Sequence, residues 1–189
     1  MKHPNAQRRI DHKLSEGKRV GVLYHWTRRG HDGFDGIMSD NAFKGSKRRG
    51  EYISFTRDKT FTFIGPDRTP WRFTVDGDKI SEKFKIGPYA DDEMGWSRYG
   101  SEAAEAEERV SLKPGQTLGP LNRYVLEIGW YGPISVGAAV EIFEVVKEVG
   151  REAAQRDFGF RPSEISDAEY VAEGMEWADK YNIPFDWTP

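Results

Sequence analysis

The sequence predicts an α+β fold, and three observations carry that prediction. Short runs with period-2 alternation, rich in β-branched and aromatic residues, crowd the middle of the chain. Helical spacing takes over after Ser135. The 189 residues include 11 Phe, 8 Tyr and 6 Trp, enough bulk to fill a core although the apolar share is only 37%. Strands in the middle and helices at the end make α+β the economical class. The expected organisation is one domain over 1–189, with a polar arm at 1–17, a strand-rich core at 18–131 and a helical part at 132–189.

In chain order, Arg19–Thr27 reads as a strand, with Val20, Val22 and Tyr24 alternating with Gly21, Leu23 and His25. Arg28–Gly33 is a charged, Gly-containing loop. Phe34–Asn41 suits a short helix with Phe34, Ile37 and Met38 on one face. Gly45–Gly50 is a basic loop, Tyr52–Thr56 a strand that ends at Arg57-Asp58, and Trp71–Val75 a strand closed by an Asp76-Gly77 turn. Lys83–Ile86 is a further strand. From Tyr89 to Glu105 the sequence is irregular and carries Trp96 and Tyr99, a long loop of the kind that is often functional. Strands follow at Glu107–Leu112 and Tyr124–Trp130. Val136, Val140, Phe143 and Val146 recur at helical spacing, which predicts a helix over Ser135–Ala154. Ser166 and Glu169 have capping-box spacing ahead of a second helix, Asp167–Tyr181, with Val171, Met175 and Ala178 as its buried stripe. Extended chain returns at Asn182–Phe185.

Composition removes several classes of function. With no cysteine there is no disulfide scaffold, thiol nucleophile or thiolate metal site. No run approaches the roughly 18 apolar residues of a membrane span, so no membrane partner is expected. The first ten residues lack the apolar centre of a secretory signal, so a cytoplasmic setting is the expectation. Charge is uneven: residues 1–60 hold 14 basic and 7 acidic side chains, residues 131–189 hold 5 and 12. The basic third suits a polyanion or a phosphate-bearing ligand, or simply neutralises the acidic part within the fold. The net charge of −3 argues against a dedicated nucleic-acid module but leaves room for a small basic cleft. His3, His12, His25 and His31 show no HExxH spacing, which places a metal hydrolase low and leaves no metal expected.

Three segments each set a polar side chain inside a strand-like run: Leu23–Thr27 (LYHWT), Glu51–Thr56 (EYISFT) and Glu105–Val110 (EAEERV). A single His, Ser or Glu pair in such a run is more often structural than functional. Taken together, their order and spacing over residues 19–130 resemble the ADP-ribosyltransferase superfamily, which includes the diphtheria-toxin-like enzymes and the poly(ADP-ribose) polymerases. LYHWT is similar to that family's Tyr-His-Gly-Thr motif at Tyr24, His25 and Thr27, and departs from it at Trp26, where the family commonly has Gly. Gly50–Phe55 looks like the Gly-Ile-Tyr-Phe segment of the polymerases, with Ser54 at the Tyr position. EAEERV looks like the Glu-X-Glu that opens the catalytic strand, with Glu107 as the catalytic acid and Glu105 as the acid that prepares the acceptor. Small phage-encoded or bacterial, toxin-like members are similar in layout, which for a phage-encoded chain implies the host cytoplasm.

The resemblance implies a split β-sandwich core with C-terminal helices, residues 18–131 being the NAD-binding catalytic core. It implies NAD as substrate and no metal. Glycosyl transfer would go to a protein or nucleic-acid acceptor that the sequence does not name. Glu107 would hold the ribose 2′-OH and offset oxocarbenium charge as nicotinamide leaves, with Ser54 orienting it. His25 would hydrogen-bond the adenosine-side ribose, next to Tyr24, Trp26 and Thr27. Arg28 or Arg29 would meet the pyrophosphate. Tyr52, Phe61 or Phe63 would stack on nicotinamide, although packing is the commoner role of such rings. Which of Glu105, Glu107 and Glu108 acts stays open. Two rivals stand on the same fold: an RNA 2′-phosphotransferase, which uses NAD with His and Arg and no catalytic Glu, and an inactive binding protein in which Trp26 crowds the nicotinamide position.

Overall fold

A computed structural model describes residues 20–45, 52–57, 59–60, 68–88 and 107–187, with Pro88 and Glu107 entering by their backbone alone. Glu105, Phe61 and Phe63, the N-terminal arm and the irregular 89–105 segment lie outside the described residues. The strands are β1 (Val22–Thr27), β2 (Phe43–Lys44), β3 (Tyr52–Thr56), β4 (Trp71–Asp76), β5 (Lys85–Pro88), β6 (Glu107–Ser111), β7 (Thr117–Leu118), β8 (Val125–Trp130) and β9 (Phe185–Asp186). The helices are α1 (Phe34–Asp40), α2 (Gly77–Ser81), α3 (Leu121–Tyr124), α4 (Val136–Val149), α5 (Arg151–Phe158) and α6 (Pro162–Lys180). The class is α+β.

Among the described residues the main sheet has seven strands in the order β5-β6-β3-β1-β4-β8-β9, and β2 and β7 form a separate two-stranded ribbon. Every pairing is antiparallel except that of β8 with β9. Alternation sends Leu23, His25 and Thr27 to one face, opposite Val75, Phe73 and Trp71 of β4. Ile53 and Phe55 join that face from β3, and Ile128 and Trp130 from β8.

The helices cover this face. Phe34 of α1 stacks on Trp71 with ring centroids 3.9 Å apart. Tyr170 of α6 meets the same indole edge-on at 5.8 Å. Gly174 lets α6 settle there, since a Cβ at that position would lie 2.2 Å from Trp71 Cη2. Phe43 of the small ribbon packs edge-on to Phe73 at 5.1 Å. The resulting core is continuous from Val20 to Ile183.

Five local expectations change, the first being that the strand expected over Arg19–Thr27 begins at Val22, after Gly21 with its φ of +74°. The helix expected over Ser135–Ala154 is two helices, broken at Gly150, whose φ of +83° and ψ of +160° suit glycine alone. Ser135 does cap the first of them, its Oγ accepting from Ala138 N at 3.1 Å. The last helix begins at Pro162 rather than Asp167. Pro fits the first helical turn, and Glu164 reaches back to Arg161 N at 2.8 Å, so the reciprocal bond belongs to Glu164 and Ser166 lies inside the helix. Asp76 does not close a turn: its carboxylate accepts from Lys79 N and caps the short α2. The strand expected at Lys83–Ile86 starts two residues later, at Lys85.

Candidate functional site

The sheet order sets β6, β3 and β1 side by side, so the EERV, YISFT and LYHWT segments become neighbours although they lie far apart in sequence. The chain runs antiparallel between them. The C-terminal end of β3 therefore meets the N-terminal end of β6 and the first half of β1, with Glu108, Phe55 and His25 in one row across the three strands.

His25 is half-buried, its ring 5.2 Å from Phe43, 5.6 Å from Phe55 and 6.4 Å from Phe73. Nδ1 lies 2.9 Å from the Ser54 carbonyl oxygen. A carbonyl only accepts, so Nδ1 carries the hydrogen and Nε2 is left as an acceptor in the neutral ring. Desolvation pushes the imidazole pKa below its ordinary 6.5, and the Ser54 carbonyl bond offsets part of that. The ring is thus held neutral in one tautomer by a strand neighbour. That arrangement suits accepting a ligand hydroxyl.

Ser54 meets His25 through its backbone. Its own side chain is exposed and stands on the opposite face of the sheet, at the register position facing Arg109. Glu107 pairs with Thr56, and Glu108 pairs with Phe55. The acidic position that shares a face with His25 is therefore Glu108. It is fully buried, and Arg57 Nε donates to its Oε1 at 2.8 Å. Arg57 Nη2 is buried and has no partner among the described residues.

The other face carries Tyr24, Trp26 and Tyr52, all half-buried. Trp26 packs on Tyr131 at 5.2 Å, so its indole sits away from the His25 face. The guanidinium of Arg72, only 2% exposed, lies 5.4 Å over the Tyr24 ring, 5.6 Å over Trp26 and 4.3 Å over Tyr131. It pairs with Asp186 at 3.3 Å and Glu127 at 3.5 Å. The Tyr131 hydroxyl also donates to Asp186, and burial followed by that bond raises its pKa. Arg109 covers Tyr52 at 4.0 Å.

Thr27 is buried opposite Trp71. Arg28 is exposed and reaches Asp32 at 3.3 Å. Arg29 is a structural clamp. It lies 4.8 Å over Trp130 and 4.9 Å over Tyr170 and pairs with Asp167 of α6. The Tyr170 hydroxyl accepts from Gly30 N at 3.1 Å and donates to Asp35, so the loop after β1 is pinned to α6. Among the described residues no group of three or more His, Asp or Glu is placed to hold a metal ion, and no helix is long and apolar enough to cross a membrane.

The sequence pattern marks Arg57 only as a strand stop and gives Arg72 no distinction from its strand neighbours. The opposite parity of Glu107 and Glu108 is visible in it, but only the pairing of β6 with β3 says which parity faces His25. A comparison with family models, curated proteins and solved structures returns no match.

Proposed function

We propose that the chain is a mono-ADP-ribosyltransferase on an ADP-ribosyltransferase-like core. It would cleave NAD at the nicotinamide–ribose bond and transfer ADP-ribose to a macromolecular acceptor. The observation that carries this proposal is the sheet order, which gathers the His25, Ser54 and Glu107–Glu108 segments on three adjacent strands, with His25, Phe55 and Glu108 in one row. The neutral, single-tautomer ring of His25 supports it, because an Nε2 acceptor suits a ribose hydroxyl. A carboxylate at the start of β6 would stabilise the oxocarbenium charge as nicotinamide departs, and more strongly when water is excluded. Glu107 takes that role by its motif, and Glu108 is the carboxylate on the face of His25. The acceptor nucleophile then attacks the ribose C1′ and gives up its proton to a base or to solvent.

The test is incubation with labelled NAD and a cell lysate, run with wild type, Glu107→Gln and Glu108→Gln. Label in protein or nucleic acid, lost by at least about 100-fold in one of the two variants while NAD binding is retained, supports the proposal and names the acid. Unchanged transfer in both variants removes the carboxylate role. A wild-type protein that neither binds nor consumes millimolar NAD would be the inactive binding protein instead. The RNA 2′-phosphotransferase draws support from one observation, the buried Arg57 guanidinium on the face of His25. Its signature is NAD consumption that needs a 2′-phosphorylated RNA and survives both Gln substitutions.

A further inference from the structure

We propose that Arg57 is a ligand-binding residue, its Nη2 receiving a phosphate oxygen of a bound nucleotide while Nε stays with Glu108. This rests on the nucleotide reading of the β1–β3–β6 face that carries His25.

Arg57 directly follows β3, two residues beyond Phe55. Its bond to Glu108 puts it on the face where Phe55 touches the imidazole. The side chain is 17% exposed and that of Glu108 is 0% exposed, so the guanidinium lies between solvent and the carboxylate. A guanidinium carries five N–H donors in a fixed fork. Nε is committed to Glu108, whereas Nη2 is shielded from solvent with no partner among the described residues. A buried charged donor without an acceptor is unfavourable, and native proteins seldom keep one without a use.

The surroundings indicate what acceptor belongs there. Adjacent strands lie about 4.8 Å apart, and residues i and i+2 on a strand about 6.6 Å apart. The register sets His25 across from Phe55, so Arg57 is its diagonal neighbour, one strand over and two residues along, and one face carries a charged donor at Arg57 and a neutral acceptor at His25 Nε2. A phosphate oxygen needs the first and a sugar hydroxyl the second. A nucleotide diphosphate presents both groups in one ligand. Glu108 also fixes the guanidinium before the ligand arrives, which lowers the ordering cost of binding.

The experiment is calorimetric titration of ADP, with NAD titrated in parallel, into wild type and Arg57→Lys. Lysine keeps a cation beside Glu108 but lacks the second fork nitrogen. The expected result is a melting temperature close to wild type and an ADP affinity about 10- to 100-fold weaker, the loss of one charge-assisted hydrogen bond. Should Arg57→Lys fold poorly, Arg57→Met combined with Glu108→Met removes both charges and leaves neither buried alone, and it should lose ADP affinity to at least the same extent. Equal ADP affinity in wild type and a folded variant overturns the proposal, as does a wild type that binds no ADP. Arg57-dependent ADP binding without NAD binding upholds Arg57 and removes the transferase reading. NAD binding with Arg57-independent ADP affinity does the reverse.

Discussion

His25 shows how one residue links packing to pH. Burial among three phenylalanine rings holds its imidazole neutral in the fold, with a pKa below the ordinary 6.5, while the Ser54 carbonyl fixes the tautomer and partly opposes that shift. The unfolded chain therefore binds more protons than the folded one between the folded pKa and 6.5. The stability this contributes is complete above the unfolded pKa and is lost as pH falls through the folded pKa. A histidine NMR titration should place the His25 midpoint below 6.5. Thermal melts should fall more steeply as pH drops below about 6.5 in wild type than in His25→Phe, which has no proton to take up. A midpoint at or above 6.5 would refute this account of the ring. The residue types of this site are legible in the sequence, because LYHWT and EERV break strand-like runs with chemistry-bearing side chains. Their faces are not. Alternation fixes which residues of one strand share a face, but a single-residue change of register between strands exchanges the faces. That is why the sequence groups Ser54 with His25 without showing that their side chains stand on opposite faces, and gives no sign that Arg57 shares the face of His25.

At the level of elements, the strands are the readable part. Tyr52–Thr56 appears with its expected bounds, and the Trp71, Glu107 and Tyr124 runs agree to within a residue or so at their ends. Aromatic and β-branched alternation is a strong local signal. The two-residue strands β2, β7 and β9 are illegible because their pairing comes from the tertiary fold. Helical spacing runs on past Gly150 in the sequence, and only the backbone reveals that glycine's positive φ there separates α4 from α5. The turn is still tied down on both sides: Gly150 N donates to Val146 O at 2.8 Å, and Ala154 N to Gly150 O at 2.9 Å. A side chain at this φ and ψ meets strain, not a clash with neighbours, since nothing lies within 4 Å of where its Cβ would stand. Gly150→Ala should therefore cost about 1–3 kcal/mol. Urea denaturation measures it; a change below a few tenths of a kcal/mol would mean that the α4–α5 joint relaxes to a conformation alanine accepts.

Across the whole molecule, the last strand closes the fold. β9 pairs with β8 at the sheet edge and carries Asp186 to Arg72, on the strand beside β1. The Arg72 guanidinium is enclosed by Tyr24, Trp26 and Tyr131, so its charge depends on Asp186 and on the more exposed Glu127. The acidic C-terminal third thus supplies a partner to a buried cation in the strand-rich part, and its Asp167 pairs with Arg29 of the basic first third, the neutralisation within the fold that the charge pattern suggests. Removing one partner of a buried pair costs about 3–5 kcal/mol, and Glu127 keeps the cost of Asp186→Ala near the lower figure, about 3 kcal/mol. Because the core runs unbroken from Val20 to Ile183, that loss should move one cooperative transition and leave it single. Far-UV circular dichroism and tryptophan fluorescence, followed through the same urea titration of Asp186→Ala, should give coincident midpoints below the wild-type value. An early fluorescence transition, separated from the loss of secondary structure, would instead mean that β9 detaches locally and that the Arg72–Asp186 contact fastens the C-terminus without supporting the sheet.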